Sequence, residues 1–145
     1  MELKQVCIED IEAGMSASIE KMLDEEAVRR FAEISGDFNP VHLDAEFAAG
    51  TRFGRPIVHG MLTASLISTV VGTQLPGRGS IYVSQSLRFR APVHVGDTVR
   101  AEAVVTDVDR KRGRVTLQTR CFVEDRVVIT GEAVMLAPSR AKGAS

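Results

Sequence analysis

Residues 56 to 77 form a stretch without lysine, arginine, aspartate or glutamate. The apolar residues of this stretch are Met61, Leu62, Ala64, Leu66, Ile67, Val70, Val71 and Leu75. On a helix they fall on all faces, which predicts a helix that is buried on every side. A transmembrane span is the alternative, because the length approaches the roughly 20 residues that a span requires. The polar residues between Thr63 and Gln74 make the stretch too polar for lipid, so we predict a central helix and no membrane contact.

The chain after this helix has the two-residue alternation of β-strands. We predict strands at residues 80–90, 98–109, 115–123 and 127–136, separated by glycine-rich or charged turns. An earlier strand is predicted at residues 15–23. One buried helix followed by long antiparallel strands requires a curved sheet around that helix, so the predicted fold class is α+β.

Two aspartates mark helix starts ahead of the central helix. Asp24 is followed by Glu25 and Glu26, which is the pattern of an N-cap with acids in the first turn. Asp44 is expected to cap a short helix over residues 45–49.

We predict a single domain over residues 1–145, with its core at about 12–137 because the periodic elements lie there. The first dozen residues are expected to form a loose arm. Residues 138–145 are small or polar and are expected to form a disordered tail.

Composition narrows the class of protein. The chain has 145 residues, of which 44% are hydrophobic and 26% charged, and its net charge of −1 disfavours binding to nucleic acid. The N-terminus lacks the apolar run of a signal peptide, so a cytoplasmic protein is expected. Cys7 and Cys121 are predicted to be reduced, and the spacing of His42, His59 and His94 matches no common metal-binding pattern. We therefore predict no metal.

An acid and an imidazole, Asp37 and His42, lie in a segment that contains two helix breakers. Gly36 favours a left-handed helix end, and Pro40 cannot continue a helix, so Asp37 and His42 can converge across the turn. A carboxylate beside an imidazole can handle the protons of a water molecule near neutral pH. The alternative is a simple turn in which Asp37 and Asn39 bond their own backbone.

The wider sequence resembles a known family. The motif begins with Phe31, followed by Ser-Gly-Asp-x-Asn-Pro-x-His, five further residues and Ala48. Downstream of it lies Gly54-Arg-Pro-Ile-Val-His-Gly-Met-Leu62. This order resembles the hydratase 2 motif of the MaoC-like (R)-specific enoyl-CoA hydratases of the hot-dog superfamily. The stretches Gln74-Leu-Pro-Gly-Arg-Gly-Ser-Ile-Tyr82 and Leu87-Arg-Phe-Arg-Ala-Pro-Val-His-Val-Gly-Asp97 resemble the short bacterial members that supply polyhydroxyalkanoate synthesis. The likeness covers about residues 12–137 and is more specific than a lone catalytic pair.

The resemblance implies a hot-dog fold, with an antiparallel sheet wrapped around a long central helix, and a homodimer. It implies reversible hydration of trans-2-enoyl-CoA to (R)-3-hydroxyacyl-CoA without a cofactor, the CoA thioester being the substrate. Asp37 and His42 match the catalytic pair, and the Gly60 amide matches the group that stabilises the thioester oxyanion. The remaining matches are Asn39 and Ser68 as supporting residues and Val71 in the acyl pocket.

Several of these positions have a plainer interpretation. Gly60 starts the buried helix, where free amides favour negative charge, but a glycine there can also serve close packing. Ser68 can bond back to a helix carbonyl, and Val71 can be a core residue. His59 is expected to cap a helix or orient a loop rather than react.

Other substrates and activities remain open at this point. Arg78, Arg88 and Arg90 are candidates for binding CoA. The nearest rival is a MaoC-like dehydratase acting on acyl-carrier-protein thioesters or on a special short-chain CoA ester. A hot-dog thioesterase and a non-catalytic acyl-CoA-binding module are rivals from other classes.

Overall fold

A computed structural model of the chain describes residues 1–141. Its helices are α1 (Glu25–Ser35), α2 (Pro40–Leu43), α3 (Ala45–Ala49) and α4 (Gly60–Thr73), preceded by a 3₁₀ turn at Ile8–Asp10. Its strands are β1 (Ser16–Met22), β2 (Ile81–Phe89), β3 (Thr98–Asp109), β4 (Arg114–Val123) and β5 (Arg126–Leu136). The predicted strands and the helices after Asp24 and Asp44 are confirmed, whereas α2 is an additional element.

The five strands form one antiparallel sheet in the order β1-β3-β4-β5-β2. Alternate residues of the two central strands are buried as predicted: Val99, Ala101, Ala103 and Val105 on β3, and Val115, Leu117, Thr119 and Cys121 on β4. Helix α4 lies on this face and contacts β1, β2, β3 and β4. Several of the buried side chains are small, so the helix approaches closely, and the Cys121 sulfur lies 3.9 Å from the Thr63 carbonyl oxygen. This arrangement confirms the predicted α+β, hot-dog fold class.

One face of α4 is exposed, so the prediction of burial on every side is wrong for the single chain. Met61 is 58% exposed, and Ser65 and Ser68 are exposed on the same face. The physical reason is that the five-stranded sheet covers only one side of the helix. No helix within residues 1–141 has the length and apolarity that a membrane crossing requires.

Local capping explains where α1 ends and α3 begins. The Asp24 carboxylate accepts a hydrogen bond from the Ala27 amide at 2.9 Å, and Asp44 caps α3 in the same way. Gly36 ends α1 in the left-handed conformation, with φ of 82°. This conformation suits glycine, and it turns the chain immediately before Asp37.

The N-terminal arm packs against the core, so the prediction of a loose arm is wrong. Ile8 and Ile11 are buried, with exposures of 4% and 0%. The Val6 amide donates to the Pro76 carbonyl and the Ile8 amide to the Pro138 carbonyl, both at 2.8 Å. Both partners lie far away in sequence, so no local pattern indicates the packing.

The predicted disorder of the C-terminal tail is wrong for residues 138–141. The Ser139 hydroxyl donates to the Glu9 carboxylate at 2.5 Å, and the Arg140 amide donates to the same carboxylate at 3.1 Å. Arg140 also forms an ion pair with Asp10. The N-terminal arm and residues 138–141 are therefore bonded to each other. Residues 142–145 lie outside the described part of the chain.

The packing of the arm predicts a matched pair of stability effects. Ile11→Ala should lower the free energy of unfolding by about 2–5 kcal/mol, because it empties a buried site. Leu3→Ala in the same arm should change it by less than about 0.5 kcal/mol, because Leu3 is 55% exposed. Urea denaturation at one protein concentration measures both, and equally small changes would contradict the packed arm.

Candidate active site

The turn after α1 is held by side chains that bond its own backbone. One Asp37 carboxylate oxygen accepts from the Asn39 amide at 3.1 Å. The Asn39 side chain accepts from the Val41 amide at 3.1 Å and so caps α2. The turn predicted as an alternative to a catalytic pair is therefore present. It coexists with convergence of Asp37 and His42, because α2 carries His42 back toward the turn.

His42 is anchored through one ring nitrogen. Its Nδ1 lies 2.7 Å from the Ile57 carbonyl oxygen. A carbonyl oxygen only accepts hydrogen bonds, so Nδ1 carries the proton and Nε2 of the neutral ring keeps its lone pair. Burial, and to a smaller extent the electrostatic interaction with His59, lower the pKa of His42, although the bond to Ile57 and the Asp37 carboxylate act in the opposite direction. The ring therefore favours its neutral form near pH 7.

Asp37, His42 and His59 meet in one cluster. A carboxylate oxygen or ring nitrogen from each lies within 4.8 Å of those from the other two. The rings of His42 and His59 are stacked, with centroids 3.9 Å apart and planes inclined by 28°. Imidazole lone pairs lie in the ring plane, so stacked rings do not direct them at one ion at about 2.0–2.1 Å. This geometry is a poor metal site, and the predicted lack of a metal stays a prediction.

Among the site residues, His59 is the one whose position is least evident from the sequence. It is only 2% exposed, and its Nε2 lies 3.0 Å from the Asp37 carbonyl oxygen. Its ring also packs at a tilt against Phe31, with centroids 4.8 Å apart. His59 occupies the N-cap position of α4, but its side chain makes no capping bond. The side chain therefore binds the Asp37 turn rather than capping the helix.

Gly60 is the first residue of α4 and places its amide beside this cluster. The first amides of α4 with backbone acceptors are those of Leu62 and Thr63, which both donate to the His59 carbonyl. The Gly60 amide has no such partner among the described residues. A Cβ atom at Gly60 would lie 2.7 Å from the Phe89 ring, so this glycine also permits close packing. Both interpretations of Gly60 thus have structural support.

Two cavities meet at His42, Gly60 and Phe89. The first, of about 320 Å³, extends from these residues to buried Thr63, Val58, Val93 and Ile129, and it is also lined by Arg52 and Arg90. The second, of about 400 Å³, is lined by Phe31, Ser35, Asp37, His42, His59, Gly60, Met61 and Phe89. Asp37, His42 and Gly60 therefore line one space.

The remaining candidate residues lie elsewhere. Ser68 is exposed on α4 and lines neither cavity, and its hydroxyl makes no hydrogen bond with the described residues. Val71 is fully buried in the core and lines neither cavity. Of the arginines proposed for CoA, Arg90 lines the first cavity, whereas Arg78 and Arg88 line neither. Arg52 and Phe89 were not among the candidates, although Phe89 lies within the second resembling stretch.

The fold and this site define a hot-dog protein with an acid–imidazole pair next to a helix N-terminus. Residues 8–126 match the family model described as MaoC like domain. The chain therefore belongs to the MaoC-like domain family.

Individual relatives are similar over nearly their whole length. The chain is 46% identical to the 3-hydroxybutyryl-CoA dehydratase of Methylorubrum extorquens, over 96% of this chain and 88% of the relative. It is 48% identical to the (R)-specific enoyl-CoA hydratase of Rhodospirillum rubrum, over 91% and 92%. Among solved structures, the (R)-hydratase from A. caviae, involved in PHA biosynthesis, superposes with a TM-score of 0.86 at 51% identity, over 88% and 98%.

Proposed function

We propose that the protein is an (R)-specific enoyl-CoA hydratase, which adds water reversibly to a trans-2-enoyl-CoA to give the (R)-3-hydroxyacyl-CoA. The observation that carries this proposal is the convergence of Asp37, His42 and the Gly60 amide on one cavity. The relatives named as hydratase and dehydratase support it, because dehydration is the same reaction in reverse. No cofactor is required, since the thioester itself activates the double bond.

The reaction has two barriers, and the site has groups suited to both. Water is a poor nucleophile, and negative charge develops on the thioester oxygen as hydroxyl reaches C3. Asp37 and His42 hold one water and take one of its protons, while the oxygen bonds to C3. The pair then returns that proton to C2 on the same face, so the atoms of one water molecule are fully accounted for. The two groups act as a coupled pair, which leaves the base and acid roles unassigned.

The Gly60 amide supplies the second requirement. An unpartnered N–H at the start of α4 can donate to the enolate oxygen, and the helix dipole favours the negative charge there. The side chain of Asn39 caps α2 and so supports the position of His42. The supporting role of Ser68 and the acyl-pocket role of Val71 remain part of the proposal. In the single chain neither residue lines either cavity.

The two cavities correspond to the two arms of the substrate. In an enoyl-CoA the acyl chain and the pantetheine arm leave the thioester in opposite directions, and both cavities adjoin His42 and Gly60. We assign the CoA arm to the cavity with Arg52 and Arg90, because CoA carries phosphates and arginine binds them well.

In this proposal two copies of the chain form a homodimer. Strand β2 is at an edge of the sheet and exposes Ile81, Tyr82 and Val83. The exposed face of α4, with Met61, provides a further apolar surface. Edge strands and apolar patches are normally covered. Pairing of β2 with its copy would cover both features.

The proposal extends to cellular role. The enzyme acts in the cytoplasm and supplies (R)-3-hydroxyacyl-CoA for polyhydroxyalkanoate synthesis. The similarity to the A. caviae (R)-hydratase, which is involved in PHA biosynthesis, supports this role.

Loss of either member of the pair should abolish most of the activity. With crotonyl-CoA, Asp37→Asn and His42→Ala should each lower kcat by at least about a hundredfold, the usual contribution of acid–base groups. Asp107→Asn makes the same chemical change on the exposed part of β3 and should keep the native rate. Loss of enoyl absorbance without thiol release reports hydration. Thiol release would indicate a thioesterase, and near-native rates in both folded variants would refute the site.

Arg90 and Arg88 provide a test of the CoA assignment. Arg90→Ala should raise KM for crotonyl-CoA by roughly tenfold with little change in kcat, because a phosphate contact is equal in ground and transition states. Arg88→Ala, two residues earlier in β2 and outside both cavities, should leave KM within about twofold of native. Equal KM values for the two variants would contradict the assignment.

A further inference from the structure

His59 connects all three groups of the proposed site. Its Nε2 bonds the carbonyl of Asp37 at 3.0 Å, and its ring stacks on His42 with centroids 3.9 Å apart. Its own backbone directly precedes Gly60 and accepts the first helical hydrogen bonds of α4. A displacement of His59 would therefore move the acid, the imidazole and the amide relative to one another.

Simple packing does not account for an imidazole at this position. The Asp37 carbonyl can only accept, so Nε2 carries the proton, and Nδ1 is buried without a hydrogen-bond partner among residues 1–141. A buried nitrogen without a hydrogen-bond partner is unfavourable, because it loses its bond to water and gains none. A phenyl ring would stack on His42 and Phe31 without this cost. Unlike a phenyl ring, the imidazole provides an N–H bond to the Asp37 turn.

We propose that His59 is a positioning residue, whose Nε2–H bond to the Asp37 carbonyl fixes the turn that carries the acid, while its ring packs on His42. This inference rests on the proposed function and adds a residue that does not itself react. His59 lines the same cavity as Asp37 and His42 but reaches the reaction only through them.

Two substitutions separate the two contacts. His59→Phe keeps a ring that can stack on His42 but loses the donor to the Asp37 carbonyl. His59→Gln keeps an amide donor of similar reach but loses the ring. In the pH-independent range, we expect His59→Phe to lower kcat by roughly tenfold to a hundredfold, since displacement of catalytic groups is costly. KM should stay within about twofold, and His59→Gln should recover kcat to within about threefold of native.

The titration of His42 gives a second readout, which the pH profile of kcat/KM reports and which NMR measures without turnover. Within residues 1–141, the charged or titratable side chains that line a cavity together with His42 are those of Asp37, His59, Arg52 and Arg90, and only His59 changes in these variants. Because His59 contributes to the lowered pKa of His42, its loss should raise that pKa. The neutral ring is then lost at a higher pH, so the acidic limb of kcat/KM should move upward. NMR of labelled histidine measures the same shift directly.

His94 provides the matched control. Its Nε2 also bonds a backbone carbonyl, that of Phe53 at 3.2 Å, but it lies outside the Asp37 cluster. His94→Gln should leave the His42 titration unchanged.

Each outcome decides the proposal. A native kcat in His59→Phe, equal losses in His59→Phe and His59→Gln, or an unchanged His42 titration in both variants would overturn it. If Asp37→Asn and His42→Ala keep native rates, the proposed function fails. The NMR titration still tests the contact between His59 and His42 in that case.

Discussion

The site depends on two imidazole rings that each bond a backbone carbonyl of the other's segment. His42 binds the carbonyl of Ile57, two residues before His59, and His59 binds the carbonyl of Asp37 in the turn before His42. The Ile57 amide also donates to the Val41 carbonyl at 3.2 Å. These three bonds join the turn after α1 to the start of α4. They set one tautomer for each ring and leave the Nε2 of His42 with its lone pair.

The sheet fixes the position of the Gly60 amide and of Phe89. Helix α4 rests on the small residues of β3 and β4, so the Gly60 amide has a defined position relative to β2. Phe89, at the end of β2, packs against Gly60 in a space that a Cβ atom would fill. Close packing of this glycine is thus compatible with the oxyanion role proposed for its amide.

Local chemistry made much of the fold predictable. Asp24 as an N-cap, Gly36 as a left-handed helix end and the alternation of β3 and β4 all depend on neighbours within a few residues. The convergence of Asp37 and His42 was also predictable, because Gly36 ends α1 just before Asp37 and Pro40 lies between the two residues. The family resemblance then assigned roles to residues whose spacing alone left them open.

The features that sequence patterns missed depend on distant partners. The arm that carries buried Ile8 and Ile11 bonds segments about 70 and 130 residues away, at Pro76 and Pro138, and only the fold brings those segments together. The partner of the His59 side chain is a backbone carbonyl 22 positions earlier, and a backbone group leaves no mark in the sequence. The one available signal was that His59 immediately precedes the glycine that starts the uncharged helix. The exposed face of α4 was missed because apolarity does not say which surface covers it.

A crystal structure with butyryl-CoA, which has no double bond to hydrate, tests the central claim most directly. The account predicts the thioester oxygen at about 3 Å from the Gly60 amide nitrogen, a typical distance for an oxyanion donor. It also predicts a water that contacts both Asp37 and His42 and faces C3 of the acyl chain. A thioester bound away from Gly60, or a C3 atom that this water cannot reach, would contradict the account.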